Sequence, residues 1–360
     1  MRSISFEWNS EKYIFSEKGP ALIIAEAGVN HNGNLELALK LIEQAKKVGA
    51  DAVKFQTFKT ENIIIPKSPK ANYLKRTTNA KNSFFEILKK LELSKKDHIQ
   101  LIKFCKKVGI IFFSTPYDHE SADLLEDLDV PFYKIASTDL TNLPLLAHIA
   151  KKRKPMVIST GMSTLKEVKE AINICRKATN NNIILLQCTA NYPTRVENAN
   201  LRVLDYYRHH FKVLVGYSDQ TIGETAAICA VAKNAVYIEK HFTIDRKLPG
   251  PDHPMSIEPD KFSDYIRHLR EAESALGSEV KKITAEEIDT RAALQKSIVT
   301  TQAIKKDQLF TIDNIAIKRP ALGLSPKYFF KILSKRSKSN IPINTPIKLY
   351  NVTSAIGKIQ

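Results

Sequence analysis

The chain is poor in cysteine and contains no long apolar segment. Its four cysteines are spread over 360 residues without the spacing of a zinc site or a disulfide framework, so we expect reduced thiols and a cytoplasmic protein. No stretch of about 18 apolar residues is present, which argues against a transmembrane helix. The first residues, MRSISFEWNSEKYIF, lack the apolar core of a secretory signal peptide.

Acidic residues are scarce relative to basic ones. The sequence has 38 Asp and Glu residues against 55 Lys and Arg residues, a formal net charge of +17. Such a charge is compatible with nucleic acid or an acidic membrane surface as a partner. However, no nucleic-acid-binding motif accompanies the lysines, which fall mainly on predicted helices. We therefore favour a lysine-rich surface and anionic substrates, with neither nucleic acid nor membrane as a partner.

What the sequence does contain is a repeated strand-then-helix pattern. Eight short apolar or β-branched runs alternate with helical patterns, as buried parallel strands require. The predicted strands are Ala21–Ala27, Ala52–Thr57, Ile110–Thr115, Phe132–Ser137, Met156–Thr160, Ile183–Thr189, Val213–Ser218 and Val236–Phe242. Eight strand–helix units predict an α/β fold, a (β/α)₈ TIM barrel of typically ~250 residues.

Four residues mark the ends of predicted helices. Leu35–Val48 has apolar residues at helical spacing and is followed by Gly49, a good helix stop. Ser94, Ser163 and Asp118 are candidate N-caps.

The chain divides into a large and a small predicted domain. Residues 1–280 carry the barrel pattern, 281–294 resemble a charged linker, and 295–360 contain short β-type runs between Lys-, Pro- and Ser-rich turns. The last segment therefore predicts a small, mainly β domain. Within the barrel, a long insert at Lys59–Leu93 follows the second strand and is expected to lie over the active site.

All eight predicted strands end in polar residues. Barrel enzymes place catalytic groups at these carboxyl ends, and a polar group inside an apolar strand costs stability unless it is paired. Cationic donors are Lys54, Lys134 and Lys240, and hydroxyl donors are Ser137, Ser159 and Ser218. These residue types suit a phosphate and a carboxylate, as in a phosphorylated three-carbon acid.

A metal site is predicted at the end of the last strand. His241 lies there, and Gln220 on the preceding strand can offer an amide oxygen. An imidazole with oxygen ligands suits Mn²⁺ or Mg²⁺ better than a structural zinc ion. Glu26 and Asp252 remain as candidate acid–base or hydroxyl-binding carboxylates.

Short motifs occur along the whole chain: IIAEAGVNHNG, VKFQTFK, LELS, FFSTPYD, YKIAS, ISTGMS, GYSD, EKHFTID and GPDHPMS, with QCT and NYPT around residue 190. In these motifs the sequence resembles the sialic acid synthase (N-acetylneuraminate synthase) family, which includes legionaminic and pseudaminic acid synthases. The C-terminal segment FTIDNIAIKRP resembles the antifreeze-like (SAF) domain of these enzymes. The resemblance extends over nearly the whole chain.

The resemblance implies a fold, a reaction and a set of binding residues. The fold is a TIM barrel followed by a SAF domain, in a domain-swapped homodimer. The reaction condenses phosphoenolpyruvate with N-acetylmannosamine or a related 2,4-diacetamido-6-deoxy hexose, giving a nine-carbon 2-keto acid and phosphate, with Mn²⁺ or Mg²⁺ as Lewis acid. Phosphoenolpyruvate would meet Lys54, Lys134, Ser137, Ser159 and Ser218, and the sugar would meet Glu26, Gln56, Tyr192, Asp252 and the partner chain's copy of Arg319. Catalytic roles fall to Glu26 and Asp252, and the metal to His241 and Gln220.

Four positions depart from the family pattern. Gln220 stands where a metal-binding histidine is usual, Thr138-Asp139 replaces Gly-Glu, Gln295-Lys296 replaces an Arg-Arg pair, and Ala321 replaces a glycine near Arg319. The first departure leaves open an alternative, a catalytically weakened homologue that acts as a sugar-binding protein. A 3-deoxy-heptulosonate-type synthase is a more distant alternative, and the SAF-like C-terminus argues against it.

Overall fold

The computed structural model describes residues 2–70 and 83–353, so part of the predicted insert, residues 71–82, lies outside the described residues. The chain forms two compact units, Met1–Gly277 and Ser278–Gln360. Within the described residues, no helix is both long and apolar enough to cross a lipid bilayer. The four cysteines are free thiols.

The first unit is built on eight parallel strands, as predicted. The strands are β3 (Leu22–Gly28), β4 (Ala52–Thr57), β5 (Ile111–Pro116), β6 (Tyr133–Ile135), β7 (Met156–Ser159), β8 (Ile183–Cys188), β9 (Leu214–Asp219) and β10 (Tyr237–His241). They pair in the order β5-β4-β3-β10-β9-β8-β7-β6, and β5 also lies against β6, so the sheet closes into a barrel. The (β/α)₈ fold class is thus confirmed.

Helices follow the strands and pack around the barrel. They are α1 (Leu35–Lys47), α2 (Thr60–Ile63), α3 (Phe84–Lys89), α4 (Lys95–Val108), α5 (His119–Asp127), α6 (Leu143–Ala150), α7 (Leu165–Lys177), α8 (Val203–Tyr206), α9 (Thr225–Ala232) and α10 (Pro259–Leu276). Gly49 follows α1 with φ +91°, a conformation that favours glycine. Ser94 and Asp118 are N-caps as predicted, but the cap of α7 is Thr164 rather than Ser163.

An N-terminal hairpin, absent from the sequence prediction, covers the amino end of the barrel. It consists of β1 (Ser3–Trp8) and β2 (Glu11–Ser16), paired antiparallel. Phe6 and Phe15 contact Phe132 edge-on, with ring centroids 5.0 and 5.4 Å apart. The Trp8 indole donates to the carbonyl of Ile110 at 3.1 Å. Because Phe132 and Ile110 precede β6 and β5, the hairpin closes the end opposite the predicted site.

The insert after β4 has a small apolar core of its own. Buried Val29, Phe58 and Leu91 form it together with partly buried neighbours from α2 and α3. The insert approaches the β3–α1 loop so closely that a Cβ added at Gly33 would lie 2.1 Å from the carbonyl oxygen of Lys90. The described part of the insert therefore packs beside the carboxyl ends of β3 and β4.

The second unit has its own apolar core. It contains two short antiparallel strands, β11 (Ser297–Thr300) and β12 (Ile315–Lys318), and the helices α11 (Glu287–Leu294) and α12 (Phe329–Ile332). Its core includes Ile298, Phe310, Ile332 and Ile347. The segment expected to be a linker, 281–294, contains α11.

Candidate active site

Four charged side chains meet inside the carboxyl end of the barrel. Lys54 Nζ lies 2.8 Å from Glu26 Oε2 and 3.7 Å from Glu239 Oε1, and Lys134 Nζ lies 3.9 Å from the same Glu239 oxygen. All four side chains are buried. Two ammonium groups and two carboxylates thus form one buried network, in which charge pairing offsets part of the cost of desolvation.

Hydroxyl groups and a thiol surround this network. Lys134 donates to Ser159 Oγ at 2.7 Å, and Ser218 Oγ donates to Glu239 Oε1 at 3.4 Å. Ser137 Oγ accepts from the backbone N–H of Gly161 at 3.0 Å, and a Cβ at that glycine would lie only 2.8 Å from the hydroxyl oxygen. All five residues predicted to bind phosphoenolpyruvate therefore line the same part of the barrel.

Burial and pairing shift the pKa values of the network in opposite directions. Burial raises the pKa of Glu26, although Lys54 opposes the shift. Glu239 is equally buried, but Lys134 and Lys54 outweigh the desolvation and lower its pKa. Burial lowers the pKa of Lys134, whereas Glu239 and Glu26 overcome burial at Lys54 and raise its pKa. Glu26 is therefore the carboxyl group of this network that takes up a proton most easily.

The residues predicted to bind the sugar lie above this network. Gln56 Nε2 donates to Glu26 Oε1 at 3.0 Å. The Tyr192 ring meets the His241 ring edge-on, with centroids 5.5 Å apart, and Asp252 Oδ2 lies 3.8 Å from His241 Nδ1. Burial raises the pKa of Asp252, opposed by His241. The structure therefore brings Glu26, Gln56, Tyr192 and Asp252 to one rim of the barrel.

Lys240 does not belong to this site, contrary to the expectation from residue type. It lies on the opposite face of β10 from Glu239 and His241. Its Nζ donates to Asp219 Oδ2 at 2.8 Å and to the carbonyl of Thr221 at 2.7 Å, and it lies 5.2 Å from the centre of the Tyr265 ring on α10. Lys240 therefore joins the barrel to its outer helices.

Two residues of the site were missed by reasoning from the sequence. Glu239 contacts both lysines and accepts a hydrogen bond from the Tyr237 hydroxyl. The buried Cys188 forms hydrogen bonds with Ser137 and Ser218; burial raises the pKa of its thiol, although Lys134 opposes this. The signal for Glu239 was its separation of two residues from His241, which places both on one face of a strand. We find no equivalent signal for Cys188.

An open cavity of about 960 Å³ adjoins the site at the ends of β7 and β8. Its lining includes Thr160, Gln187, Cys188, Thr189 and Tyr207. Because Cys188 contacts Ser137 and Ser218, this cavity lies next to the lysine and serine cluster. Its volume is within the range of small-molecule sites.

The predicted metal ligands form a small donor set. His241 Nδ1 is buried and has no hydrogen-bond partner in the described part of the chain, and burial lowers the pKa of this imidazole, which favours the neutral, ligating form. Lys240 pairs with Asp219 at the end of the register between β10 and β9, and His241 and Gln220 are the residues that follow this pair. The Gln220 amide nitrogen donates to Ser218 Oγ at 3.3 Å. No group of three His, Cys, Asp or Glu side chains among the described residues is arranged to hold a metal. The set therefore fits an ion that keeps water in its coordination shell, rather than a closed structural site.

Comparison with known proteins places the chain in a family. The family model described as the NeuB family matches residues 41–281. The chain belongs to the NeuB family. It is 44% identical over 321 residues to the N,N'-diacetyllegionaminic acid synthase of Campylobacter jejuni, covering 89% of this chain and 96% of that protein. It is 40% identical over 329 residues to the Legionella pneumophila enzyme of the same name, covering 90% and 92%.

A solved structure has the same architecture as this chain. The N-acetylneuraminic acid (sialic acid) synthetase of Leptospira borgpetersenii, determined in complex with citrate, superposes with a TM-score of 0.68 at 31% identity. The match covers 81% of this chain and 98% of that one. The buried lysine and carboxylate network therefore lies in a barrel whose relatives include proteins named as legionaminic and sialic acid synthases.

Proposed function

We propose that this NeuB-family protein condenses phosphoenolpyruvate with an N-acylated hexosamine to give a nine-carbon 2-keto acid and phosphate. The observation that carries the proposal is the cluster of buried Lys54, Lys134, Ser159 and Ser218 with the half-buried Ser137 at the carboxyl end of the barrel. Two cations and several hydroxyls inside an apolar wall suit a ligand with one carboxylate and one phosphate.

The charge balance of the network supports a role for Glu26 in proton transfer. Lys54 and Lys134 are balanced by Glu26 and Glu239, so an arriving phosphoenolpyruvate adds negative charge to a neutral group of side chains. The carboxyl group with the raised pKa, Glu26, is the one expected to become protonated. It can then donate that proton to the aldehyde oxygen of the sugar when C3 of phosphoenolpyruvate forms the new carbon–carbon bond.

The remaining steps complete the reaction. Water adds to C2 of the phosphoenolpyruvate part and gives one proton back to the Glu26 carboxylate. The C–O bond to phosphate then breaks, the remaining hydroxyl proton leaves with the phosphate, and C2 becomes the carbonyl of the 2-keto acid. Lys134 and the serines hold the departing phosphate by charge-assisted hydrogen bonds. Glu239 keeps both lysines paired within the barrel.

For the sugar, we propose a 2,4-diacetamido-6-deoxy hexose ahead of N-acetylmannosamine. The support is the similarity to two relatives named as N,N'-diacetyllegionaminic acid synthases. We assign Asp252 and Gln56 to the hydroxyl or amide groups of the sugar; the support is the contact of Gln56 with Glu26 and of Asp252 with His241, beside the Tyr192 ring.

We further propose that His241 and the amide oxygen of Gln220 hold Mn²⁺ or Mg²⁺. When bound, the ion supplies Lewis acidity at the sugar aldehyde. The support is the His241 imidazole, whose pKa is lowered by burial and whose Nδ1 has no hydrogen-bond partner among the described residues.

The active assembly is proposed to be a domain-swapped homodimer. In it, the second unit, proposed to be a SAF domain, covers the partner's barrel and brings Arg319 to the sugar's N-acyl group. Within its own unit Arg319 is exposed after β12, as a residue that acts on a partner requires.

Free thiols at all four cysteines support a reducing, cytoplasmic location.

One observation favours a second candidate, a protein that binds sugar without turnover. Gln220 provides a weaker neutral donor at the metal position, and the described residues contain no three-ligand cluster. Thermal-shift measurements separate the two: stabilisation by sugar alone favours binding only. Stabilisation by phosphoenolpyruvate with Mn²⁺ favours the synthase.

The direct test is phosphate release from phosphoenolpyruvate with Mn²⁺ and each candidate sugar. We expect release that depends on sugar and metal and is lost in Lys134→Met. Absence of sugar-dependent release with every such sugar would reject the proposed function.

A further inference from the structure

A buried asparagine connects the two loops that carry the sugar-side carboxylates. Asn30 follows β3, four residues after Glu26, and is fully buried. Its amide nitrogen donates to the carbonyl of Phe242 at 2.8 Å and to Ser256 Oγ at 2.9 Å. Both acceptors belong to the segment after β10, so one side chain connects neighbouring strand ends.

Ser256 passes this connection on to Asp252. Its hydroxyl donates to the backbone carbonyl of Asp252 at 2.7 Å. A hydroxyl has one proton, so Ser256 Oγ must accept from Asn30 while it donates to Asp252. The order Asn30 to Ser256 to Asp252 is therefore fixed in direction.

Within its own loop the Asp252 carbonyl also accepts from the backbone N–H of Met255 at 3.2 Å, so the relay is the side-chain link that ties this turn to the β3–α1 loop. His253 Nδ1 lies 2.7 Å from Thr243 Oγ1, which holds the next residue, and the N–H of Ile257 bonds to the carbonyl of His241. Asn32 also spans the two loops, but it reaches Pro249, on the other side of Gly250, and this contact is exposed. Of these side-chain hydrogen bonds, the one from Ser256 in the Asn30–Ser256 relay is made to Asp252 itself.

We infer that Asn30 and Ser256 are positioning residues that set the Asp252 carboxylate for the sugar. The inference rests on the proposed function, since it assigns Asp252 to sugar binding. Phosphoenolpyruvate binding depends on Lys54, Lys134 and the serines, which the relay does not contact. The relay should therefore affect one substrate and spare the other.

The test compares three variants of the full chain by steady-state kinetics. Ser256→Ala removes the bond to Asp252 while the loop keeps its other contacts; we expect the KM for sugar to rise about tenfold, because small misplacements of a binding group are costly. The KM for phosphoenolpyruvate should stay within about twofold. Asn30→Ala should have the same selective effect, and Ser256→Thr, which keeps the hydroxyl, should restore the sugar KM.

Asn32→Gly is the matched control. Asn32 has φ +52°, which glycine adopts without strain, so the change removes only the exposed link to Pro249. We expect both KM values to stay unchanged. An active wild type with an unaltered sugar KM in Ser256→Ala, or an equal rise in both KM values, would overturn the inference alone. A wild type that releases no phosphate with any candidate sugar would reject the proposed function, and the inference with it.

Discussion

The two ends of the barrel differ in how their buried groups are satisfied. At the amino end, Phe6 and Phe15 cover the opening with apolar contacts, and Asp51 accepts from the N–H of Ile23 at 2.7 Å. At the carboxyl end, buried atoms such as Asn30 Oδ1, His31 Nε2 and His241 Nδ1 have no hydrogen-bond partner among the described residues. The amino end contributes stability, whereas the carboxyl end retains buried polar groups that cost stability, on the side of the barrel where the substrates are proposed to bind.

The largest effect should come from a comparison of two buried lysines, Lys134 and Lys240. We expect the loss of Lys134 to reduce activity and the loss of Lys240 to reduce stability. Lys134→Met removes a cation from the proposed phosphate site, and we expect kcat/KM to fall by about a thousandfold or more, with the fold retained. Phosphate-release kinetics and thermal unfolding measure the two properties.

Lys240→Met is the matched control for that change. It leaves the Asp219 carboxylate, buried on the outer face of β9, without its cation, although hydrogen bonds from Thr221 and Tyr265 remain. The loss should cost about 3–5 kcal/mol of stability. The kinetics of the folded protein should be preserved. Equal losses of kcat/KM in both variants would contradict the assignment of the two faces.

At the amino end, the expected loss is in stability alone. Phe15→Ala empties a buried position beneath the barrel and should reduce the free energy of unfolding by about 3–5 kcal/mol. Both KM values should be unchanged. The neighbouring Ile14 is 56% exposed, so Ile14→Ala should be nearly silent in chemical denaturation. A raised KM in Phe15→Ala would show that the two ends are coupled.

The loops at the carboxyl end should make stability depend on pH. Burial lowers the pKa of His31 to about 3 and that of His253 to about 4. Below pH ~6.5 the unfolded chain binds protons at these imidazoles that the folded chain does not. Stability should therefore be complete above that pH and fall by about 1.4 kcal/mol per pH unit for each histidine as the pH decreases.

Urea unfolding between pH 7.5 and 5.0 measures this slope. His31→Asn keeps an acceptor for the N–H of Gly33, which bonds His31 Nδ1 at 3.0 Å, and should flatten the slope by the share of one histidine. His209→Asn, a change at an exposed position, should leave it unaltered. An unchanged slope in His31→Asn would refute the account of His31.

The smallest effect is expected from one substitution at the proposed metal position, Gln220→His. Gln220→His replaces an amide with an imidazole beside His241, and Mn²⁺ affinity in calorimetric titration should stay equal or rise a few-fold. His241→Ala serves as the reference and should abolish both metal binding and turnover. A large loss of affinity in Gln220→His would show that position 220 does not face the ion.

The barrel could be predicted from the sequence because buried parallel strands are continuous apolar runs separated by helical patterns. The same property hides which face a polar residue occupies. Lys134 and Lys240 are both lysines within predicted strands, so the sequence gives no reason to treat them differently. The pairing of Lys240 with Asp219 became evident only in three dimensions. Glu239 was missed for the same reason, although it lies two residues before His241.

The hairpin and the Asn30 relay were missed for different reasons. Polar and apolar residues alternate in SISFEW, which is a strand signal that can be read from the sequence. This segment lay outside the repeating strand-then-helix pattern. The relay joins Asn30 to Ser256 across 226 residues of sequence, and no local pattern encodes such a contact. Sequence motifs therefore indicated the reacting residues better than the residues that hold them in place.

The most direct test of the account is mass spectrometry of the products from phosphoenolpyruvate, Mn²⁺ and a 2,4-diacetamido-6-deoxy hexose. The account predicts one nine-carbon 2-keto acid for each phosphate released, and neither product with Lys134→Met. Release of phosphate without the acid, or no reaction with this sugar or N-acetylmannosamine, would contradict it.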